Sequence, residues 1–277
     1  MSPLRIATVS YLNAKPLTRG LRTRALGGDY AVTESSPALC ARDLASGKVD
    51  VALIPSIEYQ RIQGLRVLPG MAIASRRRAR SVLLLSKVAA PEIRRLALDA
   101  SSRTSAVLAR IWLDRRARNR VEYLEAPPRL GAMLERSDAA LLIGDAALQA
   151  DTAGLRVYDL AAEWFEMTGL PFVFAFWAVR AGVRLPEGIE PFTASLALGL
   201  GSLSAIIEEE AERLELPRDL LESYFRQNIH YDLGAEEARS FWLFSRLARE
   251  AGAVESVREL AYHEPAAGSL RQAGESG

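Results

Sequence analysis

The chain is poor in the side chains that most often do chemistry: its 277 residues include one cysteine and two histidines. A lone cysteine, Cys40, excludes an intramolecular disulfide and a cysteine-held metal cluster. It lies between Leu39 and Ala41 on an expected helix, which suits a buried, inert thiol. His230 and His263 are too few, and too far along the chain from the motifs described below, to build a histidine metal site. Charge of one sign is also missing. A formal net charge of +1 with 25% charged residues argues against a dedicated nucleic-acid surface or a binder of acidic membranes. No apolar run is long enough to span a bilayer, since the best stretch, Phe192 to Ile207, is broken by Gly199, Gly201 and several serines. The chain enters a strand at Leu4 without a signal-peptide core, so a cytoplasmic location is expected. A phosphate-cradling glycine loop, a Gly-x-Ser-x-Gly elbow and a His-Glu-x-x-His helix are all absent. Gly199-x-Gly201 lies inside a helical segment, where it is no dinucleotide fingerprint.

What is present is an ordered set of short polar segments at expected strand ends and helix starts. Leu4 to Val9 is an apolar run that ends in Ser10-Tyr11-Leu12-Asn13, as a buried parallel strand would. Ser36-Pro37 offers an N-cap and a proline for the next helix, which Gly47 ends. Asp50 to Ile54 is a second buried strand, stopped by Pro55. The pattern recurs: Glu34 to Pro37, a helix and Val49 to Ile54 are echoed by Glu125 to Pro128, a helix and Ser137 to Ile143. Each copy follows a strand, a helix and an extended segment. The echo predicts two similar α/β lobes. Two further apolar strands, Ser81 to Ser86 and Phe172 to Val179, flank the second copy and suit a chain that crosses over and returns. The expected fold is therefore a two-lobed α/β protein of the periplasmic-binding-protein type II architecture, with a ligand cleft between lobes. The expected division places 1–80 and 178–277 in the first lobe and 81–177 in the second. Helices are expected over Leu203 to Leu214, Leu220 to Ile229 and Glu236 to Ala251, with a disordered tail over 265–277.

In open α/β proteins, ligands bind where strand ends meet helix N-termini. Ser102-Arg103-Thr104-Ser105 opens a helix with free N–H groups, hydroxyls and a guanidinium, the makings of a carboxylate receptor; Ser102 would also serve as a plain N-cap. Asn13 is either part of a turn before Pro16 or an uncharged donor and acceptor for a ligand, and Tyr11 can wall a pocket. Ser56 and Asp145 end the equivalent strands after Pro55 and Gly144, and each suits either the cleft or a helix cap. Thr168-Gly169-Leu170-Pro171-Phe172 reads as a hinge turn whose aromatics also suit a cleft wall. Arg76 to Arg80 is a basic run. A solvated loop is its default reading, with Arg80 the member best placed to face a dianion.

Ser10-Tyr11-Leu12-Asn13-Ala14-Lys15-Pro16-Leu17, Pro55-Ser56, Ser81-Val82-Leu83-Leu84, Ser102 to Ser105, Leu142 to Leu148 and Glu163-Trp164 through Trp177 occur in an order and spacing that resembles the chorismate dehydratase family of the futalosine route to menaquinone. The resemblance spans nearly the whole chain. It implies a lyase that converts chorismate to 3-[(1-carboxyvinyl)oxy]benzoate by loss of water, with chorismate as its partner and with no cofactor or metal. It leaves the oligomeric state open. It also implies a site in which Asn13, Ser81 and Asp145 are the candidate catalytic groups, and Ser10, Tyr11, Ser56, Ser102, Arg103, Thr104, Ser105, Gly144, Thr168, Gly169 and Phe172 line the substrate. Two bases stay open: the substrate's own enolpyruvyl carboxylate, and Asp145. Arg76 to Arg80 is more basic than the family pattern leads one to expect. A transport binding protein would share the fold but carry a secretion signal, and a ligand-sensing regulator would carry DNA-binding helices. The sister enzyme 1,4-dihydroxy-6-naphthoate synthase places a histidine where this chain has Gly144-Asp145. Non-catalytic binding of a small acid is the remaining alternative.

Overall fold

The computed structural model describes residues 3–23, 26, 28–117 and 120–263; the expected tail over 265–277 lies outside them. The chain runs β1 (Leu4–Val9), α1 (Lys15–Arg22), β2 (Tyr30–Ser35), α2 (Pro37–Ala45), β3 (Val51–Pro55), α3 (Glu58–Arg61) and β4 (Arg66–Ser75) before it first crosses over. It continues through β5 (Val82–Ser86), β6 (Arg95–Asp99), α4 (Thr104–Asp114), β7 (Glu122–Ala126), α5 (Leu130–Arg136), β8 (Ala139–Ile143), α6 (Gly144–Leu148), β9 (Arg156–Asp159) and α7 (Leu160–Thr168). After the second crossover come β10 (Phe172–Val179), α8 (Glu190–Gly201), α9 (Leu203–Leu214), α10 (Arg218–Ser223) and α11 (Ala235–Glu250).

Two five-stranded sheets result, ordered β2-β1-β3-β10-β4 and β7-β6-β8-β5-β9. Their pairings match one for one. β1 is parallel to β2 and β3 as β6 is to β7 and β8, while β10 and β5 run antiparallel to their neighbours on both sides. The repeat seen in the sequence is thus one strand pattern built twice, and the strand after each crossover fills the same slot in its own sheet. β3, β5, β8 and β10 are buried along their whole length, as central strands covered on both faces must be. The edge strand β4 tolerates Pro69 and Gly70 because it has a ladder on one side only. The return crossover falls earlier than position 178. β10 pairs with β3 and β4 from Phe172 onward, so the chain is back in the first sheet before that residue.

The two lobes share most of one core, with a smaller cluster (Leu83, Leu85, Ala97, Met133, Ala140, Leu142, Ala147) on one face of the second sheet. The carboxy-terminal helices do more than complete the first lobe. α11 packs against both β10 and α4, and the Trp164 indole N–H on α7 donates to Ser240 Oγ at 3.0 Å. Gly199 explains itself by packing: a Cβ there would sit 2.0 Å from the Pro16 carbonyl oxygen, so only glycine lets α8 approach α1. Among the described residues no single helix is long and apolar enough to cross a membrane, and α8 and α9 meet at 74°.

The basic run serves the first crossover. Arg80 adopts φ +59°, and Asp159 holds the turn by accepting from the Ala79 and Arg80 N–H groups at 3.2 and 2.7 Å. Arg77 stacks on Phe165 at 4.6 Å. Asp50 does a similar job just before the central strand β3 of the first sheet. It accepts two bonds from the Arg5 guanidinium, at 2.9 and 2.7 Å, and one from Arg180 at 3.1 Å. The Arg5 hydrogen bonds hold its carboxyl down to about 2, against about 3.9 for an ordinary aspartate. A depressed carboxyl stabilises the fold above its unfolded value, and that contribution is lost as pH falls through the folded one. Asp50→Asn should therefore lower the melting temperature at pH 7, and the gap to wild type should close between pH 4 and pH 2. Equal melting temperatures at pH 7 would show the clamp contributes nothing.

Candidate functional site

The equivalent strand ends of the two sheets face each other across one pocket. From the first lobe come Val9, Tyr11 and Asn13 after β1, Pro37 at the start of α2, Pro55 at the end of β3, Ile73 on β4, and Phe174 and Ala175 on β10. The second lobe contributes Ser81 and Val82 at the start of β5, the Ser102–Ser105 segment after β6, and Ile143 and Gly144 after β8. The pocket is apolar on most of its wall, with a few convergent polar groups. Among the described residues, Arg103 is the only charged one lining it.

The start of α4 forms its polar end. Ser102 Oγ accepts from the Ala106 N–H at 3.1 Å, so the serine does cap the helix, as one reading of the sequence allowed. The N–H groups of Thr104 and Ser105 have no partner among the described residues. They are left for an anion at the positive end of an eleven-residue helix. Thr104 is held from the opposite lobe, its Oγ1 accepting from the Ile57 N–H at 3.2 Å.

Asn13 sits in the single helical turn Leu12–Ala14 that precedes α1, so it is both a turn residue and a pocket residue. Its Oδ1 is buried without a partner among the described residues. Ser81 is buried, and its Oγ accepts from the Tyr224 hydroxyl at 3.0 Å. Tyr231 reaches the same corner, its hydroxyl donating to the Asn13 carbonyl at 3.0 Å. Tyr11 stands against Gly144. At that glycine φ is +60°, and a Cβ would lie 2.8 Å from the Tyr11 ring. The Tyr11 hydroxyl meets Ser101 Oγ at 2.7 Å, and Ser101 donates its own proton to Asp99 Oδ1 at 2.6 Å. Tyr11 is therefore the donor in the first of these bonds. Burial pushes the Tyr11 hydroxyl up to about 12, with Asp99 and Asp145 adding to the shift against the opposing Ser101 bond. The group keeps its proton at any physiological pH.

Several expected site residues lie elsewhere. Asp145 does not line the pocket. Its two oxygens accept from the Leu12 N–H at 2.9 Å and from Arg213 at 3.2 Å, tying the second lobe to the first. Burial raises its carboxyl above the ordinary value in spite of these bonds. Ser56 is buried behind the wall, donating to the Val173 carbonyl at 2.8 Å. Ser10 is exposed, and its N–H serves β2 through Ser35. Thr168 and Gly169 end α7: the threonine hydroxyl donates to the Trp164 carbonyl, and the glycine takes the left-handed cap conformation. Phe172 packs edge-on against Trp164, Phe174 and Phe244 in the core, and it is Phe174 that reaches the pocket. Arg80 does not reach it either. Sequence reasoning missed Tyr224, Tyr231 and Ser101. The serine next to Ser102 was the one legible signal among them.

The lobes are closed on each other. Tyr11–Ser101, Leu12–Asp145, Ile57–Thr104 and Ser56–Thr104 (3.4 Å) all bridge the cleft. Gly144→Ala should force Tyr11 off its seat and strain the left-handed turn by about 1–2 kcal/mol. The expected outcome is a lower melting temperature together with at least tenfold weaker binding of an aromatic dicarboxylate, read by calorimetry. Unchanged values of both would show that the close approach is dispensable.

Against this geometry, comparison with known proteins is specific. Residues 4–250 match the family described as menaquinone biosynthesis. A chorismate dehydratase of Thermus thermophilus is 34% identical over 253 residues, covering 84% of this chain and 90% of that one. Among solved structures, a protein of Archaeoglobus fulgidus superimposes with a TM-score of 0.75 at 17% identity, covering 90% of this chain and 98% of its own. The periplasmic aliphatic sulphonate binding protein SsuA of Escherichia coli does so with a TM-score of 0.66 at 16% identity, covering 96% and 93%. These structural likenesses show the two-lobed binding-protein fold.

Proposed function

Since the chain belongs to the menaquinone biosynthesis family, we propose that it is a chorismate dehydratase, a lyase that removes water from chorismate to give 3-[(1-carboxyvinyl)oxy]benzoate. The observation that carries the reading is the polarity of the pocket, with one cation and a helix start at one end and uncharged hydrogen-bonding groups at the other. Chorismate has two carboxylates, a ring hydroxyl and an apolar ring. The ring carboxylate suits Arg103 and the Thr104 and Ser105 N–H groups, while Val9, Ile73, Val82, Ile143 and Phe174 wall the ring and exclude water.

The enolpyruvyl carboxylate then faces neutral groups in an apolar wall. Loss of hydration without a nearby cation raises its basicity, which favours it over Asp145, whose oxygens are both engaged outside the pocket. It takes the proton from the ether-bearing ring carbon. The C–H electron pair becomes a ring double bond, the carbon–hydroxyl bond breaks, and the departing hydroxide leaves as water with that proton. The ring becomes aromatic, so driving force is supplied by the product and the protein mainly has to align the groups. Asn13 and Ser81 orient the departing hydroxyl. The reading invokes no cofactor.

The test is incubation of the purified protein with chorismate, followed by chromatography. The wild type should form the dehydrated product, and Asn13→Ala should abolish turnover with the fold intact by circular dichroism. Arg103→Ala should raise the apparent dissociation constant more than tenfold, the loss of a charge-assisted bond of ~1.5–3 kcal/mol. No product from the wild type would overturn the reading, and wild-type turnover by Asn13→Ala would remove that residue from the site.

A further inference from the structure

Behind the pocket, the carboxy-terminal segment places a fully buried phenol against the two neutral groups of the site. Tyr224 begins a one-turn π-helix, Tyr224–Asn228, at the end of α10, a local irregularity that recurs at functional sites. Its hydroxyl donates to Ser81 Oγ at 3.0 Å. A phenol has one proton to give. Tyr224 gives that proton to Ser81.

This fixes the polarity of Ser81. Ser81 has its acceptor side taken by Tyr224, so its own proton is turned outward as a donor. Asn13 Oδ1, buried and without a partner among the described residues, is an acceptor left open beside it. One donor beside one acceptor matches an alcohol, which accepts on oxygen and donates its proton. The pair does not match a carboxylate, which only accepts and would be repelled by Oδ1. Tyr231 steadies the arrangement from the main chain through the Asn13 carbonyl.

We propose that Tyr224 is a positioning residue that polarises Ser81, beside the open Asn13 acceptor, into a receptor for the substrate's departing hydroxyl. The inference deepens the reading of the chain as a dehydratase and rests on it. As the carbon–oxygen bond lengthens, negative charge grows on that oxygen, and the Ser81 donor backed by Tyr224 strengthens. Interactions of this kind act on kcat more than on KM.

Tyr224→Phe keeps the ring and removes only the hydroxyl. Its kcat for chorismate should fall at least tenfold with KM within about twofold of wild type. An analogue lacking the ring hydroxyl should bind variant and wild type alike. In a Ser81→Ala background the same substitution should cost less than threefold, because its target is gone. Wild-type kcat in Tyr224→Phe, or full additivity with Ser81→Ala, would overturn the proposal. So would weakened analogue binding together with a lowered melting temperature, the marks of a purely structural role. If the wild type does not turn chorismate over, the dehydratase reading fails on its own. The receptor is then read by binding: the wild type should prefer chorismate over its deoxy analogue, Tyr224→Phe should lose that preference, and an unchanged preference would overturn the proposal.

Discussion

A carboxylate leaves water only for donors that are already in place, and in this protein the donors at the start of α4 are placed by the opposite lobe. Thr104, the first residue of that helix, accepts the Ile57 N–H from beyond β3, and Ser56 lies 3.4 Å from the same hydroxyl. The free N–H groups of Thr104 and Ser105 and the Arg103 side chain are thereby presented to a cleft that exists only while the lobes are together. The other interlobe bonds follow the same logic. Asp145 holds the Leu12 N–H one residue from Asn13, and Ser101, backed by Asp99, holds Tyr11. Closure and assembly of the polar groups are one event.

The two sheets share a strand order, yet their chemistry is unequal. The end of β1 leads to Tyr11 and Asn13, both uncharged hydrogen-bonding groups. The equivalent end of β6 leads to Ser102–Ser105, with the pocket's only cation. This asymmetry suits a dianion whose two carboxylates have different tasks. One is bound as an anion by Arg103 and the helix start. The other, kept away from any cation in the wall, retains the basicity that proton abstraction needs. A second arginine in the first lobe would improve ground-state binding and weaken that base, since binding substrate and transition state equally brings no gain in kcat.

Much of this was legible in the sequence because the relevant signals are local. Apolar runs gave the central strands, Ser36-Pro37 and Gly47 bracketed α2, and the Ser102–Ser105 cluster announced a helix start with an arginine in it. Residues that could play two local roles were harder to place. Asp145 and Ser56 each sit where a cap or a cleft group fits equally well, and Thr168 sits where a hinge turn or a cleft wall does. The fold uses Asp145 as an interlobe tie, Ser56 as a support for the pocket wall and Thr168 as part of a helix end. Phe172 and Phe174 are two apart on one strand, and sequence alone gave no means of telling which reaches the cleft and which stays in the core. Tyr224 was invisible for a different reason: 143 residues separate it from Ser81, and no short-range pattern reports a contact made by packing the last helices across both lobes.

The central claim is that one acid group of the ligand rests on the α4 start while the reacting edge of the ring faces Asn13 and Ser81. A crystal structure of the protein with the dehydrated product bound tests it most directly. The account predicts one product molecule between the lobes, a carboxylate within hydrogen-bonding distance of Arg103 and of the Thr104 or Ser105 N–H, and the ring against Phe174 and Tyr11. A product bound outside this pocket, or one turned so that both carboxylates avoid the start of α4, would contradict it.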